Sequence, residues 1–142
     1  MYKNILLSID LNQDSSWMKA LPTAVDYCKA FDSQLHIMTV LPAYGMPIVG
    51  SFFPEDFEAR ARAEVNKRLH DFVAAHVPKD IVCQHIVVEG VVYEEIIEMA
   101  KKIEADLIVM AAHRPDLKDF LLGPNAARVV RHSNKSVLVV RD

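Results

Sequence analysis

The residues of this chain whose types suit chemistry on a charged ligand fall in two places. One is Asp10, at the end of an apolar run; the other is the stretch A-D-L-I-V-M-A-A-H-R-P-D-L-K-D-F-L-L-G-P-N-A from Ala105 to Ala126. There an apolar segment, Leu107 to Met110, stops in the small-residue step Ala111 and Ala112, passes a polar turn with His113 and Arg114, and meets Gly123 ahead of a helical pattern. That reads as a strand, a loop and a helix start. Where a parallel strand ends and a glycine opens the next helix, backbone N–H groups converge with the positive end of the helix dipole, so an anion is the natural guest. Phosphate is the first expectation and a nucleotide the second. Arg114 offers a planar fork suited to phosphate. His113 reads equally well as a solvent-exposed loop residue, since an isolated histidine does not make a general base. Asp10 reads as a ligand-facing carboxylate or as a helix-capping or loop group. The remaining histidines, His36, His70, His76, His85 and His132, are scattered and show no metal spacing.

The elements that must position these residues follow from periodicity. Tyr2 to Ile9 is a strand whose Ile5-Leu6-Leu7 is too continuously apolar for half exposure and suits burial on both faces of a parallel sheet. It ends at Asp10. The polar L-N-Q-D-S-S then supplies Asp14, Ser15 or Ser16 as a helix N-cap. Trp17, Leu21, Ala24, Val25 and Cys28 recur at helical spacing to about Ala30. Pro22 falls inside that pattern and either kinks the helix or marks its true first turn. Gln34 to Leu41 is the second strand. The following P-A-Y-G-M-P-I-V-G-S-F-F-P, Pro42 to Pro54, fits no regular element and is expected to pack as a lid or partner surface. Glu55 to Val77 is a long amphipathic helix with Phe57, Ala61, Val65, Leu69, Phe72 and Val73 on one face; its charges read as a solvated face. Ile81 to Val88 is a strand with Glu89-Gly90 as its exit, Tyr93 to Ile103 a helix, Asp106 to Met110 a strand, Pro124 to His132 a helix and Ser136 to Val140 the last strand.

This alternation demands right-handed crossovers and one doubly wound parallel α/β sheet, with a single domain over residues 1–142. The ligand crevice of such a sheet lies at the C-terminal strand ends where the winding reverses. If the reversal separates strands one and four, Asp10 and the Ala111–Gly123 loop face one another across it, with Val40 ending the strand beside strand one. The composition fits a globular protein: 142 residues, 51% hydrophobic and 25% charged. A net charge of -3 offers no footprint for nucleic acid or anionic membrane. No apolar run approaches the ~20 residues of a membrane span, and the first residues show no signal-peptide pattern, so the cytoplasm is expected. Cys28 and Cys83 are expected to be reduced core thiols, there being no C-x-x-C.

Four segments together carry a family resemblance: M-Y-K-N-I-L-L-S-I-D, D-L-I-V-M-A-A-H-R-P-D, L-L-G-P-N-A-A-R-V-V-R-H-S and S-V-L-V-V-R. In that order and spacing the chain resembles universal stress proteins along essentially its full length. The resemblance implies the adenine-nucleotide α-hydrolase-like sheet, strand order 3-2-1-4-5, and a homodimer built through strand 137–140, or a tetramer of two such dimers. It also implies a stress-response regulatory protein that binds ATP or AMP, with Mg2+ accompanying ATP. ATP-binding members carry G-x2-G-x9-G-[S/T] after strand four. Here Ala111 stands at the first glycine, His113 or Arg114 nearest the second in a loop one residue shorter, and Gly123 at the third. Ala112-His113-Arg114-Pro115-Asp116 is similar to a subgroup reading S-H-R-P-D.

The implied nucleotide-binding set is Ser8, Ile9, Asp10, Val40, Ala111, Ala112, His113, Arg114, Gly123, Pro124, Asn125 and Ala126. Asp10 would accept from the ribose hydroxyls or the adenine region, Val40 would bond the adenine edge through its main chain, and Ala111 to Arg114 would wrap ribose and phosphates. The sharper departure from the family pattern is Pro124, where Ser or Thr is usual. Proline is well placed at the first helical position, yet a hydroxyl and an N–H that would face a phosphate oxygen are gone, each worth about 1.5–3 kcal/mol. Three functions remain open: a nucleotide-dependent switch or binding module read by an unknown protein partner; a nucleotide-free dimeric interaction protein whose phosphate binding Pro124 has weakened; and a slow ATP hydrolase or autokinase. No Walker lysine, nucleophile elbow or positioned carboxylate-plus-base pair supports efficient chemistry.

Overall fold

The computed structural model describes residues 1–41, 57–112 and 123–141. The apolar stretch after Leu41 and the loop residues His113 and Arg114 lie outside the described residues. The described chain runs β1 (Asn4–Ser8), α1 (Ala20–Phe31), β2 (Gln34–Leu41), α2 (Phe57–His76), β3 (Cys83–Glu89), α3 (Val92–Lys102), β4 (Leu107–Ala111), α4 (Pro124–His132) and β5 (Ser136–Val140). The strands pair in parallel in the order β3-β2-β1-β4-β5, the doubly wound sheet expected from the alternation of elements.

Alternation along β1 divides the core into two layers. Ile5, Leu7 and Ile9 join Leu35, Ile37 and Val109 beneath α1 and α2, where Leu21, Val25, Cys28 and Leu69 cover them. Leu6 points the other way, joining Met38, Ile108 and Met110 under Ile96 and Ala100 of α3 and Ala126 and Val129 of α4. Burial on both faces accounts for the unbroken apolar run in β1. His36 is buried in the second layer with both ring nitrogens engaged, Nδ1 2.8 Å from Gln84 Oε1 and Nε2 3.2 Å from Asn4 Oδ1. It is a satisfied core histidine.

Several boundaries differ from the periodic reading. Asp14–Ser16 forms a 3-10 turn, and α1 begins only at Ala20. Pro22 therefore occupies the first turn of α1, where its missing N–H disturbs no intrahelical bond. Ser16 caps no helix; its hydroxyl accepts the Asp10 N–H at 2.8 Å instead. The charges of α2 are not all idle: Arg62 pairs with Glu89 at 3.0 Å and Arg68 donates to Asn12 at 3.2 Å. The thiols of Cys28 and Cys83 are both free, the first buried and the second only partly so. Burial pushes each up to about 11, with Cys28 adding to the rise at Cys83, so both stay protonated at neutral pH.

At the N-terminal end of the sheet one carboxylate oxygen of Asp106 accepts the N–H groups of Lys3 at 2.7 Å and Asn4 at 3.0 Å, tying β4 to the start of β1. These bonds, from Asn4 first and then Lys3, hold the Asp106 carboxyl below its ordinary value. A carboxyl lowered by folding stabilises the protein above its unfolded pKa, and that contribution is lost as the pH falls through the folded value. Asp106→Ala is expected to destabilise by about 1 kcal/mol at pH 7, discounted for the exposure of the pair. Chemical denaturation at pH 7 and below pH 4 checks it: the gap between wild type and variant must narrow with acid.

Candidate functional site

Strand β1 stops before its neighbours do, and that mismatch makes the crevice. Its register with β2 ends at Ser8↔Met38 and with β4 at Leu7↔Val109, whereas β2 continues through Thr39, Val40 and Leu41 and β4 through Met110 and Ala111. The last bond from the chain of β1 to β2 is Ile9 N–H to Met38 C=O at 3.0 Å. Backbone groups alternate sides along a strand. Met38 C=O faces β1 and Leu41 C=O faces β3, where it accepts from Gly90 N–H at 3.0 Å, so the N–H and C=O of Val40 are aimed to the β1 side, beyond the last bond. On the other flank Ala112 N–H bonds Val140 C=O on β5 at 3.0 Å, which turns the groups of Ala111 toward β1. The end of β1 is thus flanked by main-chain donors and acceptors from both neighbours.

Asp10 emerges between them, exposed, at the point where the chain leaves the sheet. Its Oδ1 accepts the Asn12 N–H at 2.9 Å in an Asx turn, its N–H goes to Ser16 Oγ, and its C=O accepts Gln13 N–H at 3.0 Å. The carboxylate therefore shapes its own loop through one oxygen, Oδ1. The loop is braced from α2: Trp17 stacks edge-on against Phe72 at 4.9 Å between centroids and lies 4.8 Å from His76, and Arg68 holds Asn12.

Across the crevice α4 begins. Gly123 is its N-cap at φ 82°, a left-handed conformation that glycine adopts without strain, and Pro124 follows as the first helical residue. The first intrahelical bond is Ala127 N–H to Gly123 C=O at 3.1 Å. Helix geometry therefore directs the N–H groups of Asn125 and Ala126 outward at the positive end of the dipole. Pro124 contributes none.

The residues read from the sequence contribute unequally. Ser8 is half-buried at the end of β1, and the side chain of Ile9 belongs to the core, with its N–H already given to Met38. The N–H of Ala112 is likewise spent on β5, and the side chain of Ala126 is buried against α3 and β4. Asp10, Val40, Ala111 and Gly123 surround the crevice through main chain or carboxylate. Gly90, which donates to Leu41, and the Arg62–Glu89 pair were not picked out in the sequence as site-related; the Glu89-Gly90 strand exit was their only signal. A separate cavity of about 440 Å³ opens at the opposite, N-terminal end of the strands, lined in part by Cys28, Lys29, Asp32, Asp80 and Val82. Among the described residues no cluster of His, Cys, Asp or Glu could hold a metal ion, and no helix is long and apolar enough to cross a membrane.

Known proteins resemble this chain over its full length. Universal stress protein G of Escherichia coli O157:H7 is 31% identical over 144 residues, covering 99% of this chain and all of the relative. Universal stress protein MJ0531 of Methanocaldococcus jannaschii is 30% identical, covering 99% of this chain and 83% of its own length. Among solved structures, MJ0577 of the same archaeon superposes with a TM-score of 0.75 at 26% identity, covering 100% of this chain and 97% of the other. A universal stress protein in complex with cAMP superposes with a TM-score of 0.63 at 26% identity, covering 99% and 97%. Residues 1–141 match the universal stress protein family, and the chain belongs to it.

Proposed function

We propose that this chain is an adenine-nucleotide-binding regulatory module that holds ATP or AMP, with Mg2+ accompanying ATP, in the crevice at the end of β1. Its occupancy is a signal that a partner protein reads. The observation that carries this reading is the main chain of Val40, aimed past the last β1–β2 bond. One C=O and one N–H from a single extended residue complement the N6 amine and N1 of adenine. Asp10 Oδ2 suits the ribose hydroxyls, and the start of α4 suits a phosphate. The similar protein crystallised with cAMP, itself an adenine nucleotide, supports the same class of ligand. The groups described around the crevice bind and orient; they supply no step of bond breaking. A second reading, a nucleotide-free interaction protein, draws on Pro124, which removes one N–H from the helix start. Mass spectrometry of gently denatured purified protein separates the two: co-purified adenine nucleotide supports the first, and its absence with no titratable binding supports the second.

β5 is an outer strand of the sheet, and Val137 to Val140 are only half-buried within one chain. An apolar edge of that kind pairs with a copy of itself. Sedimentation at micromolar concentration is expected to give a homodimer or a dimer of dimers; a monomer there would remove this part of the proposal.

Asp10 serves its loop and, in this reading, the ligand, and two substitutions separate the roles. Asp10→Asn keeps an acceptor for Asn12 N–H but loses the charge, so stability should hold while nucleotide affinity falls ~5–10-fold. Asp10→Ala should lose affinity similarly and also about 1 kcal/mol of stability. Calorimetry with thermal melts reads both, and wild-type affinity in Asp10→Asn would confine Asp10 to shaping the loop.

Pro124→Ser restores a hydroxyl and an N–H at the first position of α4. ATP extends across those donors, whereas AMP carries only the phosphate nearest the ribose. The substitution should tighten ATP over AMP by ~1–2 kcal/mol. Titrating both nucleotides against both proteins checks it: equal shifts, or none, would place Pro124 away from the outer phosphates.

A further inference from the structure

The stretch of β2 that carries Val40 has no strand beside it on the β1 side, because the last bond there is Ile9 to Met38. Its strand pairing is with β3 alone, while the Val40 side chain packs against the second core layer. The supporting register is Thr39↔Val87, Val40↔Val88 and Leu41↔Glu89, closed by the bond from Gly90 N–H to Leu41 C=O. Directly after that bond the chain must turn into α3, and Gly90 makes the turn at φ 148°, a conformation that side-chain-bearing residues rarely adopt. The space where its Cβ would lie is filled from the first turn of α3: a Cβ there would stand 2.5 Å from Glu95 Oε1 and 3.0 Å from Glu95 Cδ and Cγ. Glu89, one residue earlier and opposite Leu41, is held from α2 by Arg62 at 3.0 Å.

We propose that Gly90, packed under Glu95, is a positioning residue for base selectivity: by fixing the end of β3 it aims the Val40 main chain, and so makes the crevice prefer adenine over guanine. The inference rests on the nucleotide reading above and deepens it. Adenine presents a donor at N6 and an acceptor at N1. Guanine presents an acceptor at O6 and a donor at N1, the reverse order, so a base held in one orientation is told apart by where the C=O and N–H of Val40 point. A side chain at Gly90 must displace Glu95. The Glu95 carboxylate, the far end of a flexible side chain, can swing aside; the backbone at φ 148° cannot accept a side chain without strain, and it is relief of that strain that lifts the amide off Leu41, frees the end of β2 and loses selectivity one strand away from the base.

The test is titration of ATP and GTP against wild type and Gly90→Ala, with a thermal melt of each. Wild type should prefer ATP. In Gly90→Ala the ATP affinity should fall about tenfold while the weaker GTP affinity changes less than about twofold, so the preference itself collapses. A merely structural glycine would lower the melting temperature and weaken both nucleotides alike, and that result, like an unchanged ratio, overturns the positioning role alone. Should Gly90→Ala not fold, Arg62→Ala decides: its side chain is 56% exposed, so removal should leave the melt unchanged yet cut the ATP-to-GTP ratio about two- to threefold, and an unchanged ratio overturns the inference. Wild type that binds neither nucleotide removes the nucleotide reading itself and this inference with it. Wild type that binds both equally removes only the role given to Val40 and Gly90.

Discussion

The arrangement of the chain at the C-terminal end of the sheet depends on the early stop of β1. A central strand of a parallel sheet normally satisfies the backbone of both neighbours along its length. Here pairing ends at Ser8↔Met38 on one side and Leu7↔Val109 on the other, while β2 and β4 run on. The cost is a set of strong hydrogen-bonding groups, on Val40 and Ala111, with no strand between them. A ligand with its own donors and acceptors at an aromatic edge can offset that cost. The winding reverses at this same place, since α1 and α2 cover one face of the sheet and α3 and α4 the other.

The crevice is held by elements that do not line it. α2 steadies the Asp10 loop through Trp17 stacked on Phe72 and through Arg68 on Asn12, and it reaches the end of β3 through Arg62 on Glu89. Exposed ion pairs of this kind add little to global stability. Their place is local, at the end of β3 and in the Asp10 loop, beside the hydrogen bonds already there. Gly90 and Gly123 do the complementary work, each allowing a sharp turn from strand or loop into a helix where a side chain would cost strain.

The start of α4 shows how a helix can keep its fold while losing a donor. Pro124 suits the first turn of α4, so the helix, its dipole and the burial of Ala126 and Val129 are kept. The donors of a helix start are nonetheless counted one by one, and proline subtracts one. The family fold is therefore compatible with a graded change in the donors at this helix start, and membership in the universal stress proteins fixes the scaffold more firmly than it fixes a ligand.

The sequence by itself determined the order of strands and helices and the doubly wound class, because apolar periodicity and the punctuation by glycine and proline are local signals that packing did not override. Ile5-Leu6-Leu7 read as doubly buried and is, and Gly123-Pro124 read as a helix start and is. Asp10 was legible as a strand end but not in its double engagement with Asn12 and Ser16, since loop hydrogen bonds depend on chain directions that periodicity does not encode. The delayed start of α1 at Ala20 was missed for a similar reason: Trp17 fits the helical spacing, yet it leaves the helix to stack on Phe72 of α2, far along the chain. Only the tertiary structure decided the register between strands. The aim of Val40, the freedom of its backbone on the β1 side and the role of Gly90 all follow from how far β1 runs beside β2 and β3 beside Leu41, and relative strand lengths are set by pairing across the sheet rather than by the residues of any one strand.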